Sequence, residues 1–581
     1  MYYGIFIVVS LMKLRGLPSK KTGIKMKKWN RVIAWLGVAV LSLSVGFISD
    51  ISDDYLEISK NLDIFGHLYR EVNTHYVDET DPSDLMRKGI DAMLGSLDPY
   101  TNFIPEEELE EFEFMSTGQY GGIGALVGRR NGAMVILEPY KGYPADVAGL
   151  RAGDEIISIN EQAVDETMEV LDVRNLLRGS RGTPISIVVR HAGEKETDTL
   201  MVRRDRITVP NVPYYGLASD NIGYISLQGF TKDASREVRD AIFALGQEYP
   251  GLQGIILDLR GNPGGRLDES IKVSNLFINQ RELIVETRGR QQGSRQSYFA
   301  QRPALIPELP LALLIDDRSA SASEIVAGAI QDLDRGVIVG ERSFGKGLVQ
   351  NIRPLSYRTR LKITTAKYYT PSGRCIQAIN YADRNAQGDV SRIPDSLRNI
   401  FSTRSGRSVR DGGGIGPDLE VIEAPIPLVA LALQNQGLIF AFANEFEREH
   451  ETIAAPRDFV VSDALYQEFV AFVKAQDFSY HTPADDELEK LREVIEEEEY
   501  SDLLKSELAS LETKLEAQKV GDLTEYSAPI KEAIRAEILK RYYYHSGLIE
   551  GQLVGDSQVE AAISVLQDHS RYETILSGDE N

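Results

Sequence analysis

The chain is poor in cysteine, tryptophan and histidine, and two of these shortages exclude a class of functional site. Its 581 residues include one cysteine, two tryptophans and seven histidines. The single cysteine, Cys375, excludes an internal disulfide framework and a cysteine-rich zinc site, although it does not argue against an extracytoplasmic location. The stretch 206–425 contains no histidine, so a Ser/His site, a Cys/His site and a His-based metal cluster are excluded there. Nucleophilic chemistry in this stretch would have to use lysine or a carboxylate as its base.

Positive charge is also scarce relative to negative charge. The 64 lysines and arginines are outnumbered by 87 aspartates and glutamates, which gives a net charge of −23. A surface that tracks nucleic-acid phosphates needs clustered basic residues, so this balance argues against a nucleic-acid partner. The hydrophobic content of 42% is typical of globular proteins, and at roughly 150 residues per domain the length predicts about four units. We expect neither a cofactor nor a metal ion.

An apolar run from Val32 to Ile48 has about the length needed to span a membrane. Basic residues precede this run and aspartates follow it, a charge asymmetry that keeps the N-terminal side inside the cell. Residues 1–50 are therefore predicted to be a leader, and the lack of a clear Ala-x-Ala site favours an uncleaved anchor over a cleaved signal peptide. We expect the leader to start at Met26 rather than Met1. The rest of the chain is then expected to be exported, periplasmic and tethered to the inner membrane; the alternative is a buried helix of a soluble protein.

Four regions follow the leader. Helical spacing of apolar residues marks 51–102, and short β-type runs separated by glycine turns mark 103–207 as one small β-rich module. In 208–425, continuous apolar strands alternate with helical patterns, which predicts an α/β fold with a largely parallel sheet covered on both faces. The region 426–581 is predicted to be helical and acidic. The strands expected in the third region are Ile222 to Ser226, Gly254 to Leu259, Leu311 to Ile315 and Gly336 to Gly340, with helices from Ala234 to Leu245 and Ser323 to Asp332.

The segment Asp316 to Ile325 is rich in small residues and links a predicted buried strand to a helix. A serine at such a junction has its hydroxyl near unpaired helical N–H groups, which favour a developing anion. Ser321 and Glu324 also match the Ser-x-x-Glu capping box, so a purely structural role is the alternative interpretation.

The segment Gly340 to Gly347 lies at the end of a predicted strand, and its sequence nearly matches the motif of a phosphate-binding loop. Gly347 stands where such a loop needs serine or threonine to hold magnesium, which argues against nucleotide binding. Lys346 has another potential use, because a glycine-rich apolar pocket could desolvate its ammonium group until it acts as a base. A surface lysine in a turn is the alternative. Gln350, four residues on, could orient Lys346 by a hydrogen bond.

A third segment, Asp258 to Gly265, is a glycine-rich turn at the end of a predicted parallel strand. Such a turn exposes backbone N–H groups in the crevice where parallel sheets bind ligands, so it is a candidate oxyanion hole. An ordinary turn is the alternative.

Taken together, these segments resemble the C-terminal processing peptidase (tail-specific protease) family of serine endopeptidases. The resemblance covers roughly residues 64–424, and its specificity comes from eight modest motifs in the expected order. They are Leu97 to Tyr100, Tyr120 to Gly124, Pro144 to Asp154, Asp258 to Gly265, Ser319 to Ile325, Phe344 to Gln350, Lys367 to Gly373 and Gly414 to Asp418.

The resemblance implies a serine protease core at 208–425 that uses a Ser/Lys dyad. It implies that Ser321 is the nucleophile, Lys346 the general base and Gln350 the residue that orients the lysine, whereas Ser319 and Ser323 are not catalytic. An acidic partner described for the family would place Glu324 or Asp332 in a supporting role. The oxyanion hole would be formed by the backbone N–H groups of Ala322 and of Gly264 or Gly265.

By the same resemblance, the module at 103–207 is similar to a PDZ domain, whose groove takes an extended peptide as an added strand and captures its terminal carboxylate in a backbone loop. That loop would be formed by Tyr120, Gly121, Gly122, Ile123 and Gly124. Arg178 is a candidate for reporting peptide binding to the protease core, with a solvated arginine as the alternative. The family also implies that peptide binding positions or gates the active site.

The expected function is therefore an exported serine endopeptidase that recognises free C-terminal tails of protein substrates. The first alternative is a non-catalytic PDZ scaffold on an inactive protease core, and the second is a nucleotide-binding protein built on residues 340–346. An adaptor or activator protein and assembly into a homo-oligomer are further expectations. The role of 426–581 stays open between a helical cap, an oligomerisation surface and an adaptor site.

Overall fold

The computed structural model describes residues 55–291, 293–385, 388–476, 478–497 and 501–578. The chain forms two compact units that divide after Ala92. The predicted leader at 1–50 lies outside the described residues. In the ranges given above, no helix combines the length and the apolar character needed to cross a membrane.

The first unit is helical, as the apolar spacing predicts. Helix α1 covers 55–75, and helix α2 begins at Pro82 and ends at Gly95 in the second unit. The turn between them is held by the Tyr69 hydroxyl, which donates a hydrogen bond of 2.6 Å to the Pro82 carbonyl.

The β-rich module is built around an antiparallel sheet with the strand order β3-β4-β5-β7-β8, and β6 pairs with β5. In β7 the buried residues Ile185, Ile187 and Val189 alternate with less buried ones, as expected when one face of a sheet covers a core. Strands β2 and β9 form a separate pair where the chain enters and leaves the module. The elements are α3 (Leu109–Thr117), β2 (Gln119–Gly122), β3 (Ala125–Arg130), β4 (Ala133–Pro139), α4 (Pro144–Val147), β5 (Glu155–Ile159), β6 (Gln162–Ala163), α5 (Val170–Leu177), β7 (Pro184–Arg190), β8 (Asp198–Arg203) and β9 (Asp205–Thr208).

The α/β region contains the predicted sheet, with the order β10-β11-β12-β15-β16-β23. Strands β11 to β23 of this sheet are parallel, and β10 is antiparallel to β11 at one edge. Every residue of β11, β12, β15 and β16 is buried, which explains their continuous apolar sequences. The elements are β10 (Tyr214–Ser219), β11 (Ile222–Ser226), α6 (Ala234–Glu248), β12 (Gly254–Asp258), α7 (Leu267–Phe277), β15 (Leu311–Ile315), α8 (Ala322–Asp332), β16 (Val337–Gly340) and β23 (Leu419–Glu420).

A second, antiparallel sheet of five strands lies in the same region, with the order β1-β18-β13-β14 and β17 paired to β18. Strand β1 lies at the predicted start of the β-rich module, yet it pairs with β18. The elements are β1 (Asn102–Ile104), β13 (Leu283–Gly289), β14 (Gln296–Phe299), β17 (Leu348–Pro354) and β18 (Arg360–Tyr369), followed by two hairpins formed by β19 (Ile379–Arg384) with β20 (Val390–Arg392) and by β21 (Ile400–Ser402) with β22 (Ser408–Arg410).

The last quarter of the chain is helical, as predicted, and packs in two places. Helices α9, α10, α11, α13 and α14 share a core of their own. Helices α15 and α16 cover one face of the parallel sheet, while α6, α7 and α8 cover the other. The elements are α9 (Leu428–Asn435), α10 (Leu438–Glu449), α11 (Asp463–Lys474), α12 (Pro483–Glu497), α13 (Ser501–Glu525), α14 (Ser527–Gln552, with a break at Tyr544), α15 (Ser557–Gln567) and α16 (His569–Ser577).

Candidate active site

Ser321 stands at the turn between β15 and α8, where it is the residue before the first helical position. Its backbone has φ 55° and ψ −107°, and a residue other than glycine held at such angles costs about 1–3 kcal/mol. The residue is 8% exposed. A hydrogen bond links its side chain to Tyr368. Burial raises the pKa of the Tyr368 phenol to about 12, and the hydrogen bond from Ser321 partly offsets this rise. The turn therefore presents the serine hydroxyl from a strained backbone at a nearly dry position.

The two neighbouring serines have their hydroxyl groups committed to the backbone. Ser319 Oγ donates a hydrogen bond of 2.8 Å to the Leu259 carbonyl, and Ser323 Oγ donates one of 2.9 Å to the Asn262 carbonyl. Both residues are fully buried. Within the described part of the chain, the Ser321 hydroxyl makes no hydrogen bond to a backbone carbonyl, so the structure distinguishes it from its neighbours.

The glycine-rich turn after β12 packs directly against Ser321. Gly264 has φ 98°, and a Cβ placed there would lie 2.8 Å from the Ala322 nitrogen and 2.9 Å from Ser321 Cβ. Only glycine fits so close an approach. The Gly264 N–H donates to Asn262 Oδ1 at 2.9 Å, whereas the N–H of Ala322, in the first turn of α8, has no intrahelical acceptor. The candidate oxyanion-hole residues Ala322, Gly264 and Gly265 are thus brought together beside the serine.

Lys346 follows β16 in a loop that is partly buried. Burial and, to a lesser extent, the charge of Lys362 together lower the pKa of its ammonium group to about 8, against the opposing effects of Glu324 and Asp98. Its Nζ lies 4.1 Å from the centroid of the Tyr100 ring. Among the described residues, Nζ makes no hydrogen bond with Ser321 or Gln350. The pKa of the lysine therefore lies much nearer to physiological pH than that of a free lysine, but in this structure its ammonium group rests on an aromatic ring.

Gln350 is the second residue after the start of β17 and is paired with Thr364 of β18. Its amide nitrogen donates a hydrogen bond of 3.1 Å to Thr364 Oγ1. The Thr364 N–H in turn donates to Thr101 Oγ1 at 3.1 Å, and that hydroxyl donates to Asp98 Oδ2 at 3.1 Å. The predicted contact between Gln350 and Lys346 is not present, because the glutamine side chain joins this threonine network instead.

Glu324 is completely buried in the first turn of α8, and its carboxylate ties the Ser321 turn to the Lys346 loop. One oxygen accepts hydrogen bonds from the Ser321 N–H at 2.7 Å and the Lys346 N–H at 2.9 Å. The other accepts from Ser343 Oγ at 2.6 Å and the Gly345 N–H at 2.7 Å. Burial raises the pKa of this carboxyl group, and the four hydrogen bonds act in the opposite direction. Glu324 thus joins the Ser321 turn to the Lys346 loop through three backbone N–H groups and one hydroxyl, and its supporting role stays a prediction.

Asp332, the other acidic candidate, lies at the opposite end of α8 from Ser321. The helix rises about 1.5 Å per residue, which separates the two by roughly 16 Å. Asp332 Oδ1 lies 2.8 Å from Arg374 Nη2, and both side chains are buried. The structure therefore does not bring Asp332 to the candidate site, and its ion pair has a structural role.

The loop that resembles a phosphate-binding loop has its N–H groups in use. A phosphate cradle needs free backbone donors, but the N–H groups of Gly345 and Lys346 both donate to the Glu324 carboxylate. This geometry disfavours the nucleotide-binding alternative. Across the ranges that the structure describes, no group of three or more His, Cys, Asp and Glu side chains is placed to hold a metal ion.

The candidate peptide-binding loop, Tyr120 to Gly124, runs through β2 toward β3. Two of its glycines are required by close packing: a Cβ on Gly121 would lie 2.3 Å from the Gly179 carbonyl oxygen, and one on Gly124 would lie 2.5 Å from Tyr143 Cβ. Neither position therefore tolerates a side chain without a shift of its neighbours.

Arg178 lies at the end of α5, beside this loop, and its side chain is only 10% exposed. Its guanidinium lies 5.4 Å from the Tyr120 ring centroid and 2.7 Å from the Glu111 carboxylate of α3. Arg174 also binds Glu111, at 3.0 Å. Burial alone would raise the pKa of Glu111, but the two arginines hold it below its usual range. Arg178 is therefore an ion-paired residue rather than a solvated one.

Sequence reasoning missed three neighbours of the dyad. Tyr100 carries the cation–π contact with Lys346, Lys362 lies close enough to shift its pKa, and Tyr368 contacts Ser321. The only available signal was that Tyr100 and Tyr368 fall within quoted motifs. Lys362 lies in an ordinary strand, and nothing in the local sequence indicated its position.

Comparison of the chain with known proteins shows which families its regions match. Residues 221–383 match the model of peptidase family S41, 135–191 match that of a PDZ domain, and 429–566 match that of a probable PDZ-protease C-terminal helical domain. The carboxy-terminal-processing protease of Bartonella bacilliformis is 39% identical over 323 residues, which cover 55% of this chain and 73% of that protein. The carboxy-terminal processing protease CtpA of Bacillus subtilis is 35% identical over 347 residues, covering 59% and 73%.

Among solved structures, the PDZ domain of the carboxy-terminal protease from Vibrio cholerae, in complex with a peptide, is 28% identical. The similarity covers 16% of this chain and 99% of that one, with a TM-score of 0.15.

The protein is therefore a multidomain serine peptidase with a PDZ domain. Because its similarity to the Bartonella protein spans 73% of that protein at 39% identity, the chain belongs to the carboxy-terminal processing proteases of peptidase family S41. The family, the fold class and the class of enzyme predicted from the sequence are confirmed. The site residues stay predictions, which the geometry described above supports.

Proposed function

We propose that this protein is an exported endopeptidase that hydrolyses peptide bonds with Ser321 as nucleophile and Lys346 as general base. The observation that carries the proposal is that a single buried carboxylate, Glu324, holds both the strained Ser321 turn and the loop of a lysine whose pKa is lowered to about 8. A general base needs a pKa near the working pH, and this lysine meets that requirement without any histidine.

In the proposed first step, Ser321 Oγ attacks the carbonyl carbon of the scissile bond while neutral Lys346 Nζ accepts its proton. The resulting oxyanion is stabilised by the N–H groups of Ala322 and Gly265, because the Gly264 N–H donates to Asn262 Oδ1. The tetrahedral intermediate then expels the amine, which takes the proton from Lys346, and leaves an acyl-enzyme. Water attacks the ester in the same manner, which returns the proton to Ser321 and releases the new C-terminus.

The arrangement of the lysine implies a movement before this first step. Lys346 Nζ rests on the Tyr100 ring, and the described residues include no hydrogen bond between Nζ and Ser321. Catalytic hydrogen bonds are often absent before substrate binds and form in the complex. The lysine must leave the tyrosine ring, and a turn of Gln350 away from Thr364 would then let its amide oxygen orient the amine.

The proposal is tested by reaction with a serine-directed fluorophosphonate, followed by mass spectrometry of the digested protein. We expect one modification, on the peptide that contains Ser321, at a rate that rises with pH. Modification elsewhere, or none in a preparation that binds tail peptides tightly, would favour the non-catalytic scaffold.

Recognition of free C-terminal tails is the second part of the proposal. The PDZ module offers the backbone loop from Tyr120 to Gly124, and such loops accept a terminal carboxylate. The nearby Arg178 is occupied by Glu111 in this structure, so the peptide carboxylate either uses the backbone loop alone or displaces Glu111.

Unfolded substrates with apolar tails are expected to be cleaved at least about tenfold less efficiently when the terminal carboxylate is amidated, because a charge-assisted contact of about 1.5–3 kcal/mol is lost. The measurement is kcat/KM for paired substrates that differ only in this group. A chain blocked at its N-terminus is the matched control. Equal kcat/KM values for free and amidated tails would rule out recognition of the carboxylate.

The pH dependence of the reaction follows from the lysine. Below its pKa of about 8, Lys346 is protonated and cannot accept the serine proton, so kcat/KM should rise about tenfold per pH unit and level off above pH 8. The charged groups that act on it are Lys362, Glu324 and Asp98. Since Lys362 lowers this pKa, Lys362→Met should move the midpoint of the profile to higher pH. A flat profile between pH 6 and 9 would contradict the assignment of Lys346 as base.

Export and tethering to the inner membrane are proposed from the apolar run at 32–48 and its flanking charges alone. The test is fractionation of cells that carry the full chain, followed by protease treatment of spheroplasts. Protection of residues after 50 from the external protease would refute export, and recovery of the full-length protein without the membrane would refute tethering. An adaptor or activator and a homo-oligomer stay predictions.

A further inference from the structure

The N-terminus of α15, in the C-terminal region, lies beside the glycine-rich turn of the protease core. Asp556 is the residue that caps this helix, and its Oδ1 accepts hydrogen bonds of 3.0 Å from the N–H groups of both Gln558 and Val559. Its other oxygen, Oδ2, lies 2.8 Å from Arg260 Nη2. The side chains of Arg260 and Asp556 are 17% and 13% exposed, respectively. One carboxylate therefore caps a helix and binds a core arginine at once.

Arg260 is the third residue of the candidate oxyanion turn, which runs from Asp258 to Gly265. Its Nη2 donates to Asp258 Oδ2 at 2.7 Å, and its Nε lies 3.0 Å from both oxygens of the same carboxylate. Its Nη1 donates to Gln558 Oε1 at 3.2 Å and lies 3.4 Å from Glu423 Oε1. The guanidinium is thus shared between a carboxylate of strand β12 and side chains of helix α15.

The rest of the turn is fixed by contacts within the core. The Gly261 N–H donates to Asp316 Oδ1 at 2.9 Å, and Asn262 Nδ2 donates to the Leu227 carbonyl at 2.7 Å. The Asn262 carbonyl accepts from the Ala320 N–H at 3.0 Å, one residue before the nucleophile. Arg260 is therefore two residues of backbone from Asn262, which accepts hydrogen bonds from the N–H groups of Ala320 and Gly264 on either side of the active serine.

We propose that Asp556, assisted by Gln558, is a positioning residue for peptide hydrolysis: it holds Arg260 and through it the turn that carries Gly264 and Gly265. The inference rests on the proposed function, since it assigns the turn to oxyanion stabilisation. It gives residues after 555 a role that the sequence left open, because the protease core takes part of its catalytic geometry from the C-terminal helices.

The expected effect is on turnover rather than on folding. Without Asp556, Arg260 keeps its charge partner Asp258, so no buried charge is left alone. The guanidinium loses one of its two nearest carboxylates, Asp258 and Asp556, and a misplacement of an oxyanion donor by about 1 Å can cost up to about 100-fold in rate. We expect a fall in kcat of roughly tenfold, with KM unchanged because the PDZ module is not involved.

The test is Asp556→Asn in the full chain. Asparagine caps helices about as well as aspartate, so α15 should be preserved, while the negative partner of Arg260 is lost. The matched control is Asp568→Asn at the start of α16, where Asp568 accepts from the Arg571 N–H at 3.0 Å. We expect wild-type kcat and KM in the control, and a roughly tenfold lower kcat in Asp556→Asn with an unchanged melting temperature.

Arg260→Lys tests the same link from the core side. Lysine keeps the charge but cannot bridge two carboxylates with a planar fork, so it should lower kcat to a similar extent. In the Arg260→Lys background, Asp556→Asn should lower kcat little further, since both changes break the same interaction between residues 260 and 556. A folded Asp556→Asn protein with wild-type kcat would overturn the inference, as would additive losses in the double variant. Failure of the proposed function would appear separately, as a Ser321→Ala variant that still cleaves substrate.

Discussion

Replacing Ser321 with alanine should lower kcat/KM by about 10⁴-fold or more, and replacing Lys346 with alanine should lower it by at least about 10²-fold. The serine supplies the bond to the acyl group, and Lys346 is the base with a lowered pKa whose loop is held by the same carboxylate as the Ser321 turn. Lys346→Arg should be as inactive as the alanine variant, because a guanidinium stays protonated and cannot accept a proton.

The effects of replacing Ser321 and Lys346 should also be non-additive. Once Ser321 is absent, loss of Lys346 removes nothing further from the chemical step, so the double variant should be no slower than Ser321→Ala alone. The measurement is single-turnover cleavage of a tail-bearing substrate, with tail-peptide affinity as a test that the PDZ domain is intact. Lys272→Ala, on the exposed face of α7, is the control. Wild-type turnover by Lys346→Ala would eliminate the dyad.

The four central strands of the parallel sheet could be predicted almost residue by residue, because each is buried on both faces, whereas the less buried edge strands β10 and β23 were not predicted. The observed β11 and β15 coincide with the predicted runs, and β12 and β16 differ by one residue at one end. What covers the two faces could not be predicted. Helical periodicity shows that a segment has an apolar face, but it does not show that α15 and α16 pack on this sheet rather than on the other C-terminal helices.

How much of the candidate site could be predicted from the sequence differs from residue to residue. The Ser321–Glu324 spacing predicts the carboxylate contact with the Ser321 N–H, which is present. The choice of Ser321 over Ser319 and Ser323 required the family resemblance, since all three occupy the same local pattern. The contact between Lys346 and Tyr100 joins residues 246 positions apart (346 − 100), and no local pattern encodes a contact of that range.

Substitution of Glu324 is expected to damage folding and catalysis together. Its two oxygens accept four hydrogen bonds, and Glu324→Ala would leave all four donors in a dry site. At about 1 kcal/mol or more for each unsatisfied donor, the loss is about 4 kcal/mol of unfolding free energy. Glu324→Gln keeps the shape but turns an NH₂ group toward two of the donors, whichever way the amide is oriented. We therefore expect a smaller loss of stability, with kcat reduced by about tenfold or more because the Ser321 turn and the Lys346 loop are no longer held together.

A matched control separates the two effects of the Glu324 substitution. Glu237 accepts hydrogen bonds from the N–H groups of Asn211 and Val212 at 2.8 and 3.0 Å, and from the Asn211 amide at 2.9 Å. It lies in α6, where it contacts none of the candidate catalytic residues. Glu237→Gln should therefore lower the melting temperature, as Glu324→Gln does, but leave kcat unchanged for the fraction that is folded. If Glu324→Gln and Glu237→Gln reduced kcat alike, Glu324 would be a stabilising residue only, and the coupling of serine turn to lysine loop would have to come from elsewhere in the core.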